Sequence, residues 1–266
     1  MRIIIYLEIQ CQFRRAMIKN KTIHKIRLDN LLVERGLAET REKAKSLIMA
    51  GHIISNGQKL TKAGTSVPND IPIELMSQDP FVSRGGIKLE HVIEYLGLDL
   101  SGMRILDVGA STGGFTDCLL QAGAARVYAL DTGRGQLHHR LLNDKRVISI
   151  ERTNIVGFKH IFENIDLGVV DVSFTSLEIV LPAVLELLSQ RGQVIVLLKP
   201  QFEAKKSEVP RGGVIVDPMV HAAVIGRFLK WAVDRNIRIR NFLSSGVLGE
   251  KGNREFFFHI EPADDG

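Results

Sequence analysis

One stretch of the chain, residues 104–131, limits the possible folds more than any other. An apolar segment at 104–108 leads into a glycine-rich loop at 109–114, a predicted helix follows at 115–121, and a second apolar segment lies at 127–130. Two further apolar segments, 167–172 and 194–198, are separated by a predicted helix at 179–188. Apolar strands that alternate with helices form parallel sheets covered by helices, so the sequence predicts an α/β fold.

The glycine-rich loop indicates a ligand that carries a positive charge. In parallel sheets, ligands bind beyond the carboxyl ends of the strands, and this loop follows such an end. Its spacing, Gly-x-x-x-Gly-Gly, departs from the Gly-x-Gly-x-x-Gly pattern of pyrophosphate-binding loops, and Asp107 would repel a pyrophosphate. A carboxylate suits a cationic amine instead, and Asp131, after the next strand, is placed to accept hydrogen bonds from ribose hydroxyls. S-adenosylmethionine carries an amine, a ribose and a sulfonium.

The loop and its two acids therefore resemble the cofactor loop of class I methyltransferases. This resemblance implies a Rossmann-like fold with a mostly parallel seven-stranded sheet and S-adenosylmethionine as the cofactor. A strand-to-helix turn without a ligand is the alternative, and the two acids argue against it. A third predicted strand, near Ile148, brings the residues after it towards the adenine edge. The predicted cofactor-binding residues are Asp107, Gly109, Ser111, Thr112, Gly113, Gly114, Asp131, Asn154 and Ile155.

The positive charge of the chain is concentrated before the predicted sheet. The 266 residues have a net charge of +5. Residues 1–90 contain 15 lysine and arginine residues and 9 acidic residues, for a net charge of +6, whereas residues 91–266 have a net charge of −1. A polyanion is therefore a plausible partner of the first third of the chain.

This first third has the pattern of a small RNA-binding domain. Leu28 and Leu32 share a helical face, Thr40 is a candidate N-cap for a second helix, and Asn56-Gly57 predicts a tight hairpin. This order of elements resembles the S4-type RNA-binding domain, which implies recognition of RNA by shape and phosphate contacts. The same domain precedes the catalytic part of many pseudouridine synthases, but those enzymes need no such cofactor loop.

Basic residues in both parts of the chain are candidates for contacts with phosphates. The alternative for those in the first third is a solvated helix face. The segment 205–213 follows an apolar strand and is interpreted as a mobile basic loop beside the cofactor or, equally, as an ordinary surface loop. The predicted RNA-binding residues are Arg27, Arg41, Lys43, Lys45, Lys59, Arg84, Lys205, Lys206 and Arg211.

Four polar residues on separate elements are candidates for catalysis. Asp171 and Lys199 each end an apolar run that predicts a strand, which places both near the cofactor. Lys88 lies in Ser-Arg-Gly-Gly-Ile-Lys-Leu, and Glu255 precedes Phe-Phe-Phe. Taken singly, each residue could end a strand or cap a loop. Together they match the Lys-Asp-Lys-Glu tetrad of the FtsJ-like ribose 2′-O-methyltransferases.

The tetrad has a chemical rationale. A ribose hydroxyl is a weak acid and a poor nucleophile, so an enzyme must align its oxygen with the methyl group and help to remove its proton. A lysine with an ordinary pKa of about 10.4 is charged at neutral pH, and a second lysine nearby or partial desolvation lowers that pKa. We expect Lys199 to act as the base or to orient the hydroxyl. Asp171 and Glu255 would position Lys199, and Lys88 would tune it and contact the substrate.

The chain as a whole resembles the TlyA family, whose members join an S4-type domain to an FtsJ-like methyltransferase domain. The most specific stretches are Lys199-Pro-Gln-Phe-Glu203 and Gly249-x-x-Gly-Asn-Arg-Glu255. The resemblance implies S-adenosylmethionine-dependent 2′-O-methylation of a cytidine in ribosomal RNA, and it leaves open which subunit is modified. The predicted domains are residues 25–76 and 84–262, with a connector at 76–83.

Two functions of other classes remain open from the sequence. Members of the TlyA family have also been named haemolysins, which would make the protein membrane-active. A non-catalytic RNA-binding or ribosome-assembly factor would keep the first domain, but the glycine loop and the complete tetrad disfavour it. No stretch approaches the roughly 18 apolar residues that a membrane helix needs, so no membrane partner is expected.

The cysteines and the first residues predict a cytoplasmic protein without a metal. Cys11 and Cys118 have neither a metal-ligand spacing nor the number of a disulfide framework, so a reducing compartment fits best. The apolar run at 3–6 is too short for a signal peptide. Met17 is a candidate natural start, because residues 1–16 show no clear pattern.

Overall fold

The structure is a computed structural model that describes residues 23–75, 80–159 and 163–261. The described residues form two compact units, one within residues 1–78 and the other within residues 79–266. Cys11, Met17 and the beginning of the predicted connector lie outside the described residues.

The first unit packs two short helices together with short antiparallel strands. Its core consists of apolar side chains from both helices, and Leu28, Leu32 and Ile48 are completely buried in it. Its elements, within the described residues, are β1 (Lys25–Arg27), α1 (Leu28–Glu34), α2 (Arg41–Met49), β2 (Ile53–Ser55), β3 (Gln58–Lys59), β4 (Ser66–Pro68) and β5 (Glu74–Leu75). β1 pairs with β4, and β2 pairs with both β3 and β5, all antiparallel.

Local sequence explains where these elements begin and turn. The Thr40 side chain accepts a hydrogen bond from the backbone N–H of Lys43 at 3.2 Å, as the predicted N-cap of α2 requires. Asn56 and Gly57 have φ of 50° and 76°, the left-handed conformation that a tight two-residue hairpin needs between β2 and β3. Both predictions are confirmed.

The second unit is a doubly wound α/β layer structure. Its sheet has seven strands in the described residues, in the order β11-β12-β10-β9-β6-β7-β8. The strands are β6 (Arg104–Val108), β7 (Arg126–Leu130), β8 (Val147–Ile150), β9 (Ile165–Val170), β10 (Leu188–Leu198), β11 (Arg238–Ser244) and β12 (Phe256–Glu261). The helices are α3 (Arg84–Leu96), α4 (Gly114–Gln121), α5 (His139–Leu142), α6 (Leu177–Leu185), α7 (Pro200–Glu203) and α8 (Pro218–Val233).

The sheet is mostly parallel, as predicted. β6 to β10 run parallel, and β12 runs antiparallel to its neighbours β10 and β11. Apolar clusters lie on both faces of the sheet. The chain leaves β6 towards β7 and β8 on one side and continues in β9 and β10 on the other, so the strand order reverses between β6 and β9. Ligands bind at such a switch point.

Several boundaries differ from those predicted. β9 ends at Val170 rather than 172, and α6 ends at Leu185 because Leu188 already begins β10. β10 is therefore much longer than the apolar run 194–198 that predicted it. The sequence pattern did not assign α8 or β11, which complete the fold between β10 and β12.

Within the residues that the structure describes, no helix combines the length and apolar character needed to cross a membrane. The same residues contain no group of three or more histidine, cysteine, aspartate or glutamate side chains arranged to hold a metal ion.

Asp29 is a buried carboxylate that joins three elements of the first unit. It accepts hydrogen bonds from Arg27 Nε at 3.1 Å, Arg27 Nη2 at 2.9 Å and Arg41 Nε at 3.1 Å, and it is completely shielded from solvent. The Arg27 guanidinium beside it holds the pKa of Asp29 well below its usual range. The carboxylate therefore stabilises the unit above pH of about 4, and this contribution is lost as the pH falls towards the lowered pKa.

We expect Asp29→Asn to weaken the first unit, because both guanidinium groups lose their anionic partner. At pH 7 the free energy of local opening should fall by about 1–3 kcal/mol, measured by hydrogen exchange of peptides from residues 23–75. Peptides from residues 80–261 serve as the internal reference, and exposed Asp70→Asn is the matched control. Unchanged exchange in the Asp29 variant would show that the buried carboxylate does not hold these elements together.

Candidate active site

The site begins where the ends of β6 and β9 lie side by side. The backbone N–H of Asp171 donates to the carbonyl of Val108 at 2.9 Å. Gly109 follows with φ of +87°, and a Cβ on it would lie 2.5 Å from the carbonyl oxygen of Asp171. Only glycine fits this approach, so the loop after β6 passes directly against the end of β9.

A cleft of about 330 Å³ opens beside this contact and is called the glycine-loop cleft. Five of the predicted cofactor-binding residues line it. They come from the ends of β6 and β7 and from the segment after β8, which is the edge that the sheet topology predicts for a ligand. The five are Gly109, Ser111, Asp131, Asn154 and Ile155.

Asp131 is held by the backbone of the loops around it. One carboxylate oxygen accepts from the N–H of Ser111 at 2.8 Å, and the other accepts from the N–H of Gly133 at 2.7 Å. A carboxylate has about four acceptor positions, so it retains capacity for two hydroxyl donors from a ligand in the cleft.

Asp107 differs from Asp131 because it is completely buried. Thr116 Oγ1 donates to its Oδ2 at 2.6 Å, while Oδ1 has no hydrogen-bond partner among the described residues. Burial raises the pKa of Asp107 to about 7, and the hydrogen bond from Thr116 partly opposes this effect. A buried carboxylate oxygen without a partner is strongly stabilised by a cationic group that donates a hydrogen bond to it.

Asp107 and three further predicted cofactor residues do not line the cleft. Thr112 is exposed, whereas Gly113 and Gly114 are buried at the start of α4. A Cβ on Gly113 would overlap Leu141, and one on Gly114 would overlap the Ser83 side chain. The absence of a side chain at these two glycines is therefore explained by packing inside the protein.

A second cavity, of about 420 Å³, adjoins the cleft and is called the tetrad cavity. Lys88, Lys199 and Glu255 line it, while Asp171 lines the glycine-loop cleft. The fold thus brings the four predicted catalytic residues to two neighbouring cavities. Ser173 and Phe174 line both cavities and therefore mark the boundary between them. The tetrad residues line one cavity or the other near this boundary.

The four charged residues form two ion pairs. Lys199 Nζ lies 2.7 Å from Asp171 Oδ1, and it also donates to Ser173 Oγ at 3.1 Å. Lys88 Nζ lies 2.6 Å from Glu255 Oε2. Asp171 therefore contacts Lys199 as expected. The expectation that Glu255 also positions Lys199 needs correction, because the Glu255 carboxylate is paired with Lys88.

Phe174 is a feature of the site that the sequence analysis missed. Its side chain is 89% exposed and its φ is +65°, which is rare for a bulky residue. Its ring lies 4.8 Å from the ring of Phe202. The available signal was weak, because one phenylalanine after a strand has no periodicity that distinguishes it from a core residue.

The predicted RNA-binding residues are mostly at the surface, but several have partners within their own unit. Arg27 and Arg41 share Asp29 and remain about half exposed. Arg84 donates from Nη2 to the carbonyl of Leu248 at 2.8 Å. Lys45 is partly buried, and the remaining five, Lys43, Lys59, Lys205, Lys206 and Arg211, are exposed.

The predicted basic loop contains a short turn that is tied to α8. Residues Lys206–Glu208 form a 3₁₀ turn. Glu208 accepts two hydrogen bonds from Arg227, at 3.0 and 2.7 Å. Asn253 accepts from the N–H of Ile215 and donates to the carbonyl of Gly213, both at 2.9 Å. The loop is thus anchored on both sides of Arg211.

Comparison with known proteins agrees with this geometry. Residues 81–261 match the FtsJ-like methyltransferase family, and residues 26–68 match the S4 domain. The chain belongs to the FtsJ-like methyltransferase family. The predicted class I methyltransferase fold, preceded by an S4-type domain, is thereby confirmed.

Individual relatives match over most of their length. YqxC of Bacillus subtilis (strain 168), provisionally named an rRNA methyltransferase, is 41% identical over 245 residues, which cover 90% of this chain and 86% of the relative. The 16S/23S rRNA (cytidine-2'-O)-methyltransferase TlyA of Mycobacterium tuberculosis (strain ATCC 25618 / H37Rv) is 40% identical over 243 residues, 90% of this chain and 91% of the relative. A solved structure from Streptococcus thermophilus, provisionally named a hemolysin, is 37% identical with a TM-score of 0.69, covering 91% of this chain and 90% of that one.

The buried Asp107 generates a prediction about stability. Because its pKa is raised in the folded protein, the folded state is increasingly disfavoured as the pH rises from about 4 to about 7. We expect Asp107→Asn to remove this effect, so that its free energy of unfolding at pH 8 exceeds that of the parent protein by about 1–3 kcal/mol. The difference should be less than half as large at pH 5, because only the first part of this pH range has then been crossed.

Denaturant unfolding at both pH values, followed by the fluorescence of Trp231, measures this difference in the absence of cofactor. Exposed Glu94→Gln on α3 is the control for removal of a surface carboxylate. An Asp107 variant that is less stable than the parent protein at pH 8 would contradict the burial argument.

Proposed function

We propose that the protein transfers a methyl group from S-adenosylmethionine to the ribose 2′-hydroxyl of a cytidine in ribosomal RNA. The observation that carries the proposal is the ion pair between Asp171 and Lys199, because Asp171 lines the glycine-loop cleft and Lys199 lines the tetrad cavity. A cofactor in the cleft and a ribose in the cavity would meet at this pair. The relative from M. tuberculosis, named a cytidine-2'-O-methyltransferase, supports the choice of substrate.

The residues of the glycine-loop cleft fit S-adenosylmethionine. Asp131 retains acceptor positions for the two ribose hydroxyls of the cofactor. The unpartnered Oδ1 of Asp107 would accept from its cationic amine. Asn154 and Ile155 would contact the adenine. Thr112, Gly113 and Gly114 were predicted to bind the cofactor, but they lie outside the lining of the cleft and would instead shape the loop.

The tetrad residues supply the remaining chemistry. S-adenosylmethionine supplies an electrophilic methyl group on a sulfonium. Lys199, held by Asp171, would donate a hydrogen bond to the ribose oxygen and stabilise its negative charge. As the oxygen forms its bond to the methyl carbon, the bond from that carbon to sulfur would break, and the hydroxyl proton would pass to solvent. Lys88, held by Glu255, adds a second positive charge at the same cavity. Preorganised donors aimed at a developing negative charge are a large source of rate enhancement. Because Lys199 is ion-paired with Asp171, we assign it the orienting role of the two predicted roles.

Phe174 gives the tetrad cavity a surface for a nucleobase. Proteins that recognise single-stranded RNA often stack a splayed-out base on an aromatic side chain. The exposed ring of Phe174 borders both cavities. It would stack the base whose ribose reaches Lys199.

The S4-type domain and the basic residues would hold the rest of the RNA. Arg27, Arg41, Lys43, Lys45 and Lys59 on the first unit would contact phosphates, and so would Arg84, Lys205, Lys206 and Arg211 on the second. Such contacts make affinity strongly dependent on salt. A ribosomal substrate also agrees with the predicted cytoplasmic location, and the proposal requires neither a metal nor a membrane.

The function is tested with labelled S-adenosylmethionine and isolated small and large ribosomal subunits. We expect the label in ribosomal RNA, and mass spectrometry should place it on the ribose of a cytidine. Label on a base would overturn the proposed ribose methylation. The absence of label from both subunits, while the protein binds the cofactor, would overturn the proposed activity and favour a ribosome-assembly role. Lysis of cells by the purified protein without cofactor would favour the haemolysin reading.

Lys199→Ala tests the proposed mechanism. We expect kcat to fall by about 10²–10⁴-fold, the range for loss of a positioned proton-transfer or donor group, while the Kd for S-adenosylmethionine stays within about threefold. Quenched-flow methyl transfer and titration calorimetry measure the two quantities. Lys230→Ala on the exposed face of α8 is the matched control. Activity near that of the parent protein in Lys199→Ala would eliminate Lys199 from the mechanism.

A further inference from the structure

The motif Lys199-Pro-Gln-Phe-Glu203 contains one proposed catalytic residue and four residues that the reaction does not explain. The structure places this motif against loop 171–176, which lies between β9 and α6. Lys199 pairs with Asp171 and Ser173, and Phe202 contacts Phe174. These contacts align the two segments from the tetrad cavity outward.

Glu203 contacts the same loop at the end that lies farther from the tetrad cavity. Its Oε2 accepts from Ser176 Oγ at 2.7 Å, and its Oε1 accepts from the backbone N–H of Leu177 at 2.7 Å. Ser176 is also the N-cap of α6, since its Oγ accepts from the N–H of Glu178 at 3.2 Å. The carboxylate of Glu203 on α7 thus accepts hydrogen bonds from two residues at the start of α6, in a different part of the chain. A negative charge is favourable at a helix N-terminus.

Glu203 is partly removed from water, and burial raises its pKa. A carboxylate in such a place needs both of its hydrogen-bond donors. α7 is only four residues long, with Pro200 at its start, so it has little rigidity of its own. The bonds from Glu203 to Ser176 and Leu177 therefore fix the direction in which α7 leaves β10, and Lys199 lies at that point.

We propose that Glu203 is a positioning residue for methyl transfer, because it ties α7 to loop 171–176 and so fixes the geometry of Lys199 and Phe174. Glu203 does not touch substrate or cofactor and acts through these two residues. The expected effect on rate rests on the proposed function. The tie itself, meaning the hydrogen bonds that join Glu203 to Ser176 and Leu177, is independent of that function.

The test uses the full-length protein with Glu203→Gln, which keeps the size of the side chain and removes its charge. The amide oxygen can still accept from the Leu177 N–H, but the amide NH2 group cannot accept from Ser176 Oγ, so the hydroxyl loses its acceptor and the start of α6 loses its negative charge. At saturating RNA and S-adenosylmethionine we expect kcat to fall by about tenfold or more, with the KM for RNA and the Kd for cofactor changed by less than about threefold. Glu178→Gln, the same chemical change at an exposed site on α6, should leave kcat unchanged.

Ser176→Ala supplies a second readout. We expect it to lower kcat less than Glu203→Gln, and the double variant to be no slower than Glu203→Gln alone, because both changes break the same tie. Fully additive losses would show that the two residues act separately and would overturn the proposal. A Glu203→Gln variant with kcat within twofold of the parent protein would also overturn it.

Hydrogen exchange separates failure of this proposal from failure of the proposed function. Glu203→Gln should speed exchange in peptides from residues 171–177 and 199–204, and leave peptides from β6 and β7 unchanged. This readout needs no activity, so it decides the tie even if the parent protein methylates no ribosomal RNA. Unchanged exchange in both segments, or faster exchange throughout residues 80–261, would show that Glu203 does not hold these two segments specifically.

Discussion

The architecture of the site depends on the direct contact between the backbone of Gly109 and the carbonyl group of Asp171. A side chain at Gly109 would overlap that carbonyl, so the two segments can only meet where one of them has no Cβ. The contact fixes Asp171 at the edge of the cleft that the glycine loop forms. Because β10 lies parallel to β9 on its other side, the end of β10 brings Lys199 beside Asp171. The central ion pair is thus a consequence of sheet topology.

The four tetrad charges are arranged so that each has a partner. A buried charge without one costs several kcal/mol, whereas a close pair recovers much of that cost. Lys88 and Glu255 are both nearly buried and come from elements far apart in sequence. A buried ion pair is weak evidence for stability, because apolar residues of similar volume often serve the fold as well. Two such pairs around neighbouring cavities agree with the proposed roles of Lys88 and Lys199.

The parts of the fold that were predictable from sequence are those that depend on local pattern. The strand Arg104–Val108 and the cap at Thr40 were predicted to the residue, because burial and capping leave a short-range signature. β11 was not predicted, because an edge strand with mostly exposed side chains lacks an apolar run. Asp171 and Lys199 could be placed together because parallel strands end at one edge of the sheet. The partner of Glu255 could not be predicted, since that contact depends on how the end of the chain packs against α3.

Glycine shows most clearly why a motif identifies a site better than it identifies the role of each residue. Gly109, Gly113 and Gly114 belong to one loop and contribute equally to the pattern that indicates a cofactor. In the structure, Gly109 lies at the cleft, while Gly113 and Gly114 accommodate Leu141 and Ser83. The same holds for Lys199 and Glu203, which stand four residues apart in one motif. Lys199 lies at the cavity, whereas Glu203 binds the start of a helix 26 residues earlier in the chain. One short motif can therefore combine residues of the proposed chemistry with residues that support them.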